Sequence, residues 1–266
     1  MKKPYVAASS YLNTAPLCYS FIYGKQIDHC RFLSDASPAV CADMLKDKRV
    51  DAAMIPAIEY QRIPNILAVP EVCVASKSRV RSVVLASRVP IEEIRSVALD
   101  TTSRTSATLV QILLRKFYGV EAVYRQSPPR IEQMLETDDA ALIIGDPAML
   151  IDRSALKVYD LAEEWRKHTG LPFVFAFWAV RKDSKIWPGE VDFLAAKREG
   201  LAHTNDLAKR YSESLGLPRE ELITYLTENI NFDLDRESLR GLHLYYDLAA
   251  ECGLIKEAKE LAFWNS

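Results

Sequence analysis

The chain has 266 residues, enough for one large domain or two lobes, and its 34 basic residues nearly balance its 36 acidic ones. The basic residues are scattered rather than gathered on one face, which argues against nucleic acid as a partner, and the longest apolar run, FVFAFWAV at 173–180, is far too short to span a bilayer. Polar Ser9 and Ser10 interrupt the N-terminal segment before any secretory apolar core develops; a cytoplasmic protein is expected, its five cysteines, never spaced C-x-x-C, being reduced and buried.

In chain order, an extended segment at 5–8 precedes a helix beginning near Pro16. A second, at 31–33, precedes a helix running to residue 48, whose start is signalled by Ser37 as N-cap and Pro38 at the first helical position. DAAMI at 51–55 is a buried strand, and Pro56 opens a short helix. Valine-rich stretches at 71–76 and 82–87 have the length and β-branching of strands that cross between lobes. A second series follows: strand 96–99, helix 104–118, strand 121–124, helix 129–136, strand 140–144, a helix opening at Asp146-Pro147, strand 157–159, helix 161–168 and strand 173–180. Within 104–118, Val110, Leu113, Leu114 and Phe117 recur at helical spacing and define a buried face. From Pro188 onward the pattern is almost wholly helical, with caps at Asp206, Pro218 and Asp235, and this tail is expected to pack on the first lobe.

Alternation of this kind predicts parallel sheets with helices on both faces. Paired crossings at 82–87 and 176–182 then describe an α/β clamshell, a two-lobed fold like the type II periplasmic binding proteins with a helical C-terminal segment. Lobe 1 would comprise 1–85 with 182–266, and lobe 2 would comprise 86–181. A ligand would sit in the cleft, where helix N-termini converge at the carboxyl ends of the strands.

Three strand-to-helix junctions carry small polar groups suited to that cleft: SSYLNT at 9–14, DTTSRTS at 100–106 and Gly145-Asp146-Pro147. Hydroxyls at a helix start either cap it or, with its unpaired N–H groups, hold a carboxylate. Gly145 permits close backbone approach, and Asp146 reads as a cap for the helix that Pro147 begins. A fourth junction, IPAIEY at 55–60, adds Glu59, which suits either solvent or the cleft. Arg104 suits bidentate pairing with a substrate carboxylate or an exposed helix face. The run FVFAFW at 173–178 either lines a slot for a ring or is simply a buried strand. There is no G-x-S-x-G elbow, H-E-x-x-H or Walker-type loop, and His29, His168, His203 and His243 lie away from the junctions, so neither metal nor nucleotide is expected.

Taken in order, SYLNTAPL at 10–17, IPAIEY at 55–60, DTTSRTS at 100–106, IGDPA at 144–148 and TGLPFVFAFW at 169–178 resemble the chorismate dehydratase family. The resemblance covers roughly residues 5–185. It implies a binding-protein fold turned to catalysis: loss of water from chorismate, with no cofactor and no metal, to give 3-(1-carboxyvinyloxy)benzoate in the futalosine route to menaquinone. It implies Asn13 and Ser82 as catalytic residues, with Ser10, Thr14, Pro56, Glu59, Ser103, Arg104, Thr105, Ser106, Gly145 and Asp146 around the substrate. Ser103, Thr105, Ser106 and their N–H groups would grip one carboxylate. Asn13, Thr14 and Ser82 would grip the ring hydroxyl or the other carboxylate, and the substrate's own enolpyruvyl carboxylate would serve as base. Many relatives carry Arg where Ala15 stands and Ser where Ala57 stands, which removes one anion contact and one hydroxyl here. A sister family, 1,4-dihydroxy-6-naphthoate synthase, shares the fold but uses a histidine base where this chain has Gly145-Asp146. Outside the enzymes, the alternative is a non-catalytic organic-anion binding protein.

Overall fold

The computed structural model describes residues 3–34, 37–184, 186 and 189–264; Pro188, the expected start of the helical tail, lies outside them. Two five-stranded sheets organise two lobes. The first holds β1 (Tyr5–Ala7), β2 (Arg31–Leu33), β3 (Ala52–Pro56) and β4 (Ile66–Ser76). The second holds β5 (Val83–Ser87), β6 (Ser96–Asp100), β7 (Val123–Ser127), β8 (Ala140–Ile144) and β9 (Lys157–Asp160). The last strand, β10 (Phe173–Arg181), returns to the first sheet, so the orders are β2-β1-β3-β10-β4 and β7-β6-β8-β5-β9.

The sheets are mixed, not parallel. Four strands in each run in one direction and the fifth is reversed: β10 is antiparallel to its neighbours β3 and β4, and β5 is antiparallel to its neighbours β8 and β9. A strand covered on both faces reads as the same continuous apolar run in either direction, so the sequence does not reveal where a returning strand inserts. By sheet membership the chain divides before β5 and again before β10, which moves residues 83–85 to the second lobe and 173–181 to the first. The stretch 71–76 is the second half of β4 and does not cross between sheets.

The first lobe carries α1 (Ala15–Ile22), α2 (Pro38–Lys46) and α3 (Glu59–Arg62); the second carries α4 (Arg104–Ile112), α5 (Ile131–Thr137), α6 (Asp146–Met149) and α7 (Leu161–Thr169). Ser37 caps α2 as its sequence predicts, accepting from the Val40 N–H at 3.4 Å. The tail forms α8 (Phe193–Ala202), α9 (Thr204–Leu215), α10 (Arg219–Thr224) and α11 (Arg236–Glu251). Asp235 caps α11 through Ser238 N, whereas Asp206 sits inside the first turn of α9 and pairs with His203.

The tail binds both lobes rather than the first alone. Gly200 of α8 lies against Pro16 so closely that a Cβ there would come within 1.7 Å of the Pro16 carbonyl oxygen. Tyr246 of α11 donates to the Ala57 carbonyl of the first lobe at 2.7 Å, and its neighbour Tyr245 donates to the Thr105 carbonyl of the second at 3.0 Å. Tyr225, just beyond α10, donates to Ser82 Oγ at 2.6 Å. All three tyrosines are buried, so their hydroxyls need these partners. Cys18, Cys30, Cys41 and Cys73 are buried thiols. Among the described residues no helix is long and apolar enough to cross a membrane.

Candidate functional site

A cavity opens between the lobes. The first lobe lines it with Ser9, Tyr11, Asn13, Thr14, Pro38, Met54, Pro56, Val74, Phe175 and Ala176, and the second with Val83, Ser103, Arg104, Thr105, Ser106, Ile144 and Gly145.

At the end of β6 the chain turns because Asp100 Oδ1 accepts from both the N–H and the hydroxyl of Thr102, at 2.8 and 2.7 Å, while Ser103 N donates to the Asp100 carbonyl. Ser103 therefore falls at the N-cap of α4, yet its side chain makes no capping bond. The first N–H groups of a helix have no partner within it, and they carry its partial positive charge. Here that helix start forms part of the cavity wall, with Ser103, Thr105 and Ser106 each at most 5% exposed. In so dry a setting each donor acts more strongly on an anion than it would in water. Thr105 Oγ1 already accepts from Ile58 N at 3.2 Å, which joins the two lobes beside the cavity.

Across the cleft the turn after β1 is built differently. The Thr14 hydroxyl lies 2.6 Å from the Ser9 carbonyl and 2.8 Å from that of Tyr11, so its proton closes the turn instead of reaching a ligand. Asn13 Oδ1 is buried with no hydrogen-bond partner. An acceptor left in that state costs about 1–3 kcal/mol, and a donor on a bound molecule would remove the cost.

Several expected site residues lie elsewhere. Ser82 is fully buried and off the cavity wall; its hydroxyl accepts from Tyr225 and its carbonyl accepts from Gly145 N at 2.7 Å. Ser10 faces a second hollow on the outer side of the turn, its carbonyl holding the Tyr211 hydroxyl. Glu59 is buried and paired with Arg62 and Arg104, not facing the cavity. Asp146 does not cap α6: its Oδ1 accepts from Leu12 N at 3.0 Å, across the cleft. Ala15 and Ala57 are both off the cavity wall. Of the expected set, Asn13, Thr14, Pro56, Ser103, Arg104, Thr105, Ser106 and Gly145 are brought together.

Gly145 sits at φ +67°, and a Cβ there would come within 2.8 Å of the Tyr11 ring. Tyr11 thus reaches from the first lobe onto bare backbone of the second. Burial raises its hydroxyl pKa, a hydrogen bond with Thr102 pulls it back, and the Asp100 and Asp146 carboxylates raise it further. Burial pushes the Asp146 carboxyl up to about 6 against the Leu12 N–H, which favours its charged form. Burial also raises Asp100, opposed chiefly by Thr102. At Arg104 burial disfavours the charge, but the Asp43 and Glu59 carboxylates outweigh it and hold the guanidinium above its ordinary range.

Sequence reasoning missed Pro38, Met54, Val74 and Ile144, whose strand and helix contexts read as ordinary core. The FVFAFW run is a buried strand, and its Phe175 and Ala176 also form cavity wall. Tyr11 lay within a flagged junction, but its contact with Gly145 had no signal in the chain.

The family described as menaquinone biosynthesis matches residues 4–251. A chorismate dehydratase from Thermus thermophilus is 30% identical over 264 residues, covering 91% of this chain and 94% of its own. Among solved structures, a protein from Archaeoglobus fulgidus is similar with a TM-score of 0.74 at 18% identity, over 95% of this chain and 98% of its own. The alkanesulfonate-binding protein of Xanthomonas axonopodis pv. citri, bound to MOPS, is similar with a TM-score of 0.70 at 14% identity, over 100% of this chain and 99% of its own. At such identities these likenesses show the fold alone, and it is the two-lobed periplasmic-binding-protein architecture expected from the alternating elements.

Proposed function

The chain belongs to the menaquinone-biosynthesis family, with a chorismate dehydratase among its relatives over nearly its whole length, and we propose that it removes water from chorismate in the cavity between its lobes. The observation that carries this reading is the uncapped start of α4, which faces an apolar floor of Met54, Pro56, Val74 and Phe175. A ring bearing a carboxylate fits that pairing: the ring lies on the apolar side and the carboxylate on the donors.

In the reaction a ring C–H bond next to the hydroxyl-bearing carbon breaks, and its electron pair becomes the new ring double bond. The C–O bond breaks with it, and the departing hydroxyl takes up the proton as water, leaving an aromatic ring. The proton lost is vinylogous to the ring carboxylate, so developing charge runs onto that carboxylate. Donors from Ser103, Thr105 and Ser106 there stabilise the transition state more than the ground state. Asn13 Oδ1 accepts from the ring hydroxyl and fixes its direction of departure. Among the described cavity-lining residues the ionisable side chains are Tyr11 and Arg104, and neither is a base at neutral pH. This supports the substrate's enolpyruvyl carboxylate as the carrier of the proton from carbon to the leaving oxygen. The elimination is redox-neutral and needs no cofactor. The proposed setting is the cytoplasm, in the futalosine route.

Purified protein incubated with chorismate and followed by mass spectrometry is expected to form a product lighter by one water, at the same rate with and without EDTA. No loss of water in any buffer would overturn the reading.

A further inference from the structure

Arg104 stands first in α4, on the cavity wall, yet its guanidinium is engaged across the cleft. One terminal nitrogen, Nη1, donates to Glu59 Oε2 at 2.9 Å, and the other, Nη2, to Asp43 Oδ2 at 2.7 Å. A single side chain of the second lobe therefore holds two helices of the first, α3 and α2. The two arms differ in surroundings: the Glu59 side chain is 5% exposed and that of Asp43 is 45% exposed. The inner arm is shielded from salt, whereas the outer one is open to it.

Arg62 also donates to Glu59, from the same helix, at 2.8 Å. When the lobes part, Glu59 keeps Arg62 and no buried carboxylate is stranded, while Arg104 swings into water, where its charge is fully solvated. Both partners have a tolerable open state, so the contact is reversible. A permanent strut would instead leave an unpaired buried charge on opening.

We infer that Arg104, Glu59 and Asp43 form a latch that holds the lobes closed over the substrate, with Glu59 and Asp43 acting as positioning residues. The latch places the uncapped start of α4 against the first lobe, so the donors meet the carboxylate only when the cleft is shut. Arg104 is on this account not the carboxylate grip that its position in the motif suggests. The kinetic arm of the test rests on the proposed reaction; the closure arm does not.

Closure is read by small-angle scattering of the protein without substrate, and function by kcat and KM for chorismate. The wild type is expected to be compact at low ionic strength and to expand in about 1 M NaCl, where screening acts over only a few ångströms. Asp43→Asn is expected to be expanded already at low salt, with KM raised about tenfold and kcat changed less than about twofold, because saturating substrate restores closure. Asp43→Glu, which keeps the charge, should restore the compact form and the wild-type KM. Glu59→Gln should behave as Asp43→Asn does, with the larger effect. Wild-type scattering and, where chorismate is turned over, wild-type KM in both Asp43→Asn and Glu59→Gln would overturn the latch. Expansion of Asp43→Asn in a protein whose wild type leaves chorismate unchanged would sustain the latch and reject the proposed reaction.

Discussion

The helix starts that follow β1 and β6 occupy equivalent places in two sheets of the same order, yet one is closed and the other is open. After β1, the Thr14 hydroxyl ties the turn to the Ser9 and Tyr11 carbonyls, and Leu12 N is taken by Asp146 of the opposite lobe. After β6, Asp100 and Thr102 complete the turn among themselves, and Ser103 leaves the start of α4 uncapped against the cavity. The difference teaches that a hydroxyl-rich junction is informative only through its partners. Two similar hydroxyl-rich clusters come to opposite uses, one holding the backbone and one leaving its helix start uncapped against the cavity.

The contrast is tested most severely at the open start. Replacing Ser103 and Ser106 together, Ser103→Ala with Ser106→Ala, is expected to lower kcat about a hundredfold, the scale of losing an oxyanion donor. Phe175→Leu, on the apolar wall, should act mainly on KM, by about tenfold, through lost burial of the ring. Steady-state kinetics separates the two, and equal losses in kcat would erase the distinction between walls. Next in size is Gly145→Ala, which forces a side chain at φ +67° into the Tyr11 ring. It should lower stability by about 1–3 kcal/mol and kcat/KM by about tenfold, measured by thermal melting and kinetics.

The smallest effect concerns the closed start and depends on pH. Asp146 titrates at about 6 in the fold, above the value of about 3.9 for an unfolded aspartate, so the native state holds its proton more tightly. A carboxyl raised in this way favours the native state at low pH, and that advantage is lost as pH rises between those two values. Asp146→Asn keeps an acceptor for Leu12 N and carries no charge. It should match the wild type near pH 4 and exceed it by roughly 1–2 kcal/mol at pH 8, since partial exposure softens the penalty of the buried charge. Melting curves at the two pH values check this, and a variant less stable at pH 8 would show that the charged form of Asp146 is needed to hold Leu12.

Much of the scaffold was legible because its signals are local. Ser37-Pro38 starts α2 where capping chemistry requires, AALII at 140–144 is a strand buried throughout, and Asp235 caps α11. The donor-rich start of α4 was legible for the same reason, since strand end, turn and helix start all lie within DTTSRTS. Ser82 was not. Its burial comes from Tyr225, 143 residues along the chain, and nothing near Ser82 signals that tyrosine. Glu59, Arg104 and Asp146 were recognised as polar groups of the cleft, but their partners stand on the opposite lobe, so ligand contact and lobe contact looked alike.

By itself the sequence determined the order of strands and helices, the absence of any long apolar span and the place of a donor-rich helix start, because periodicity, capping and turn chemistry act over a few residues. Only the tertiary structure decided that β5 and β10 enter their sheets antiparallel, that the tail binds both lobes, and which charged groups face one another across the cleft. Those outcomes depend on contacts between segments far apart in the chain, from 45 residues for Glu59 with Arg104 to 189 for Ala57 with Tyr246, which strand composition and helix capping do not encode.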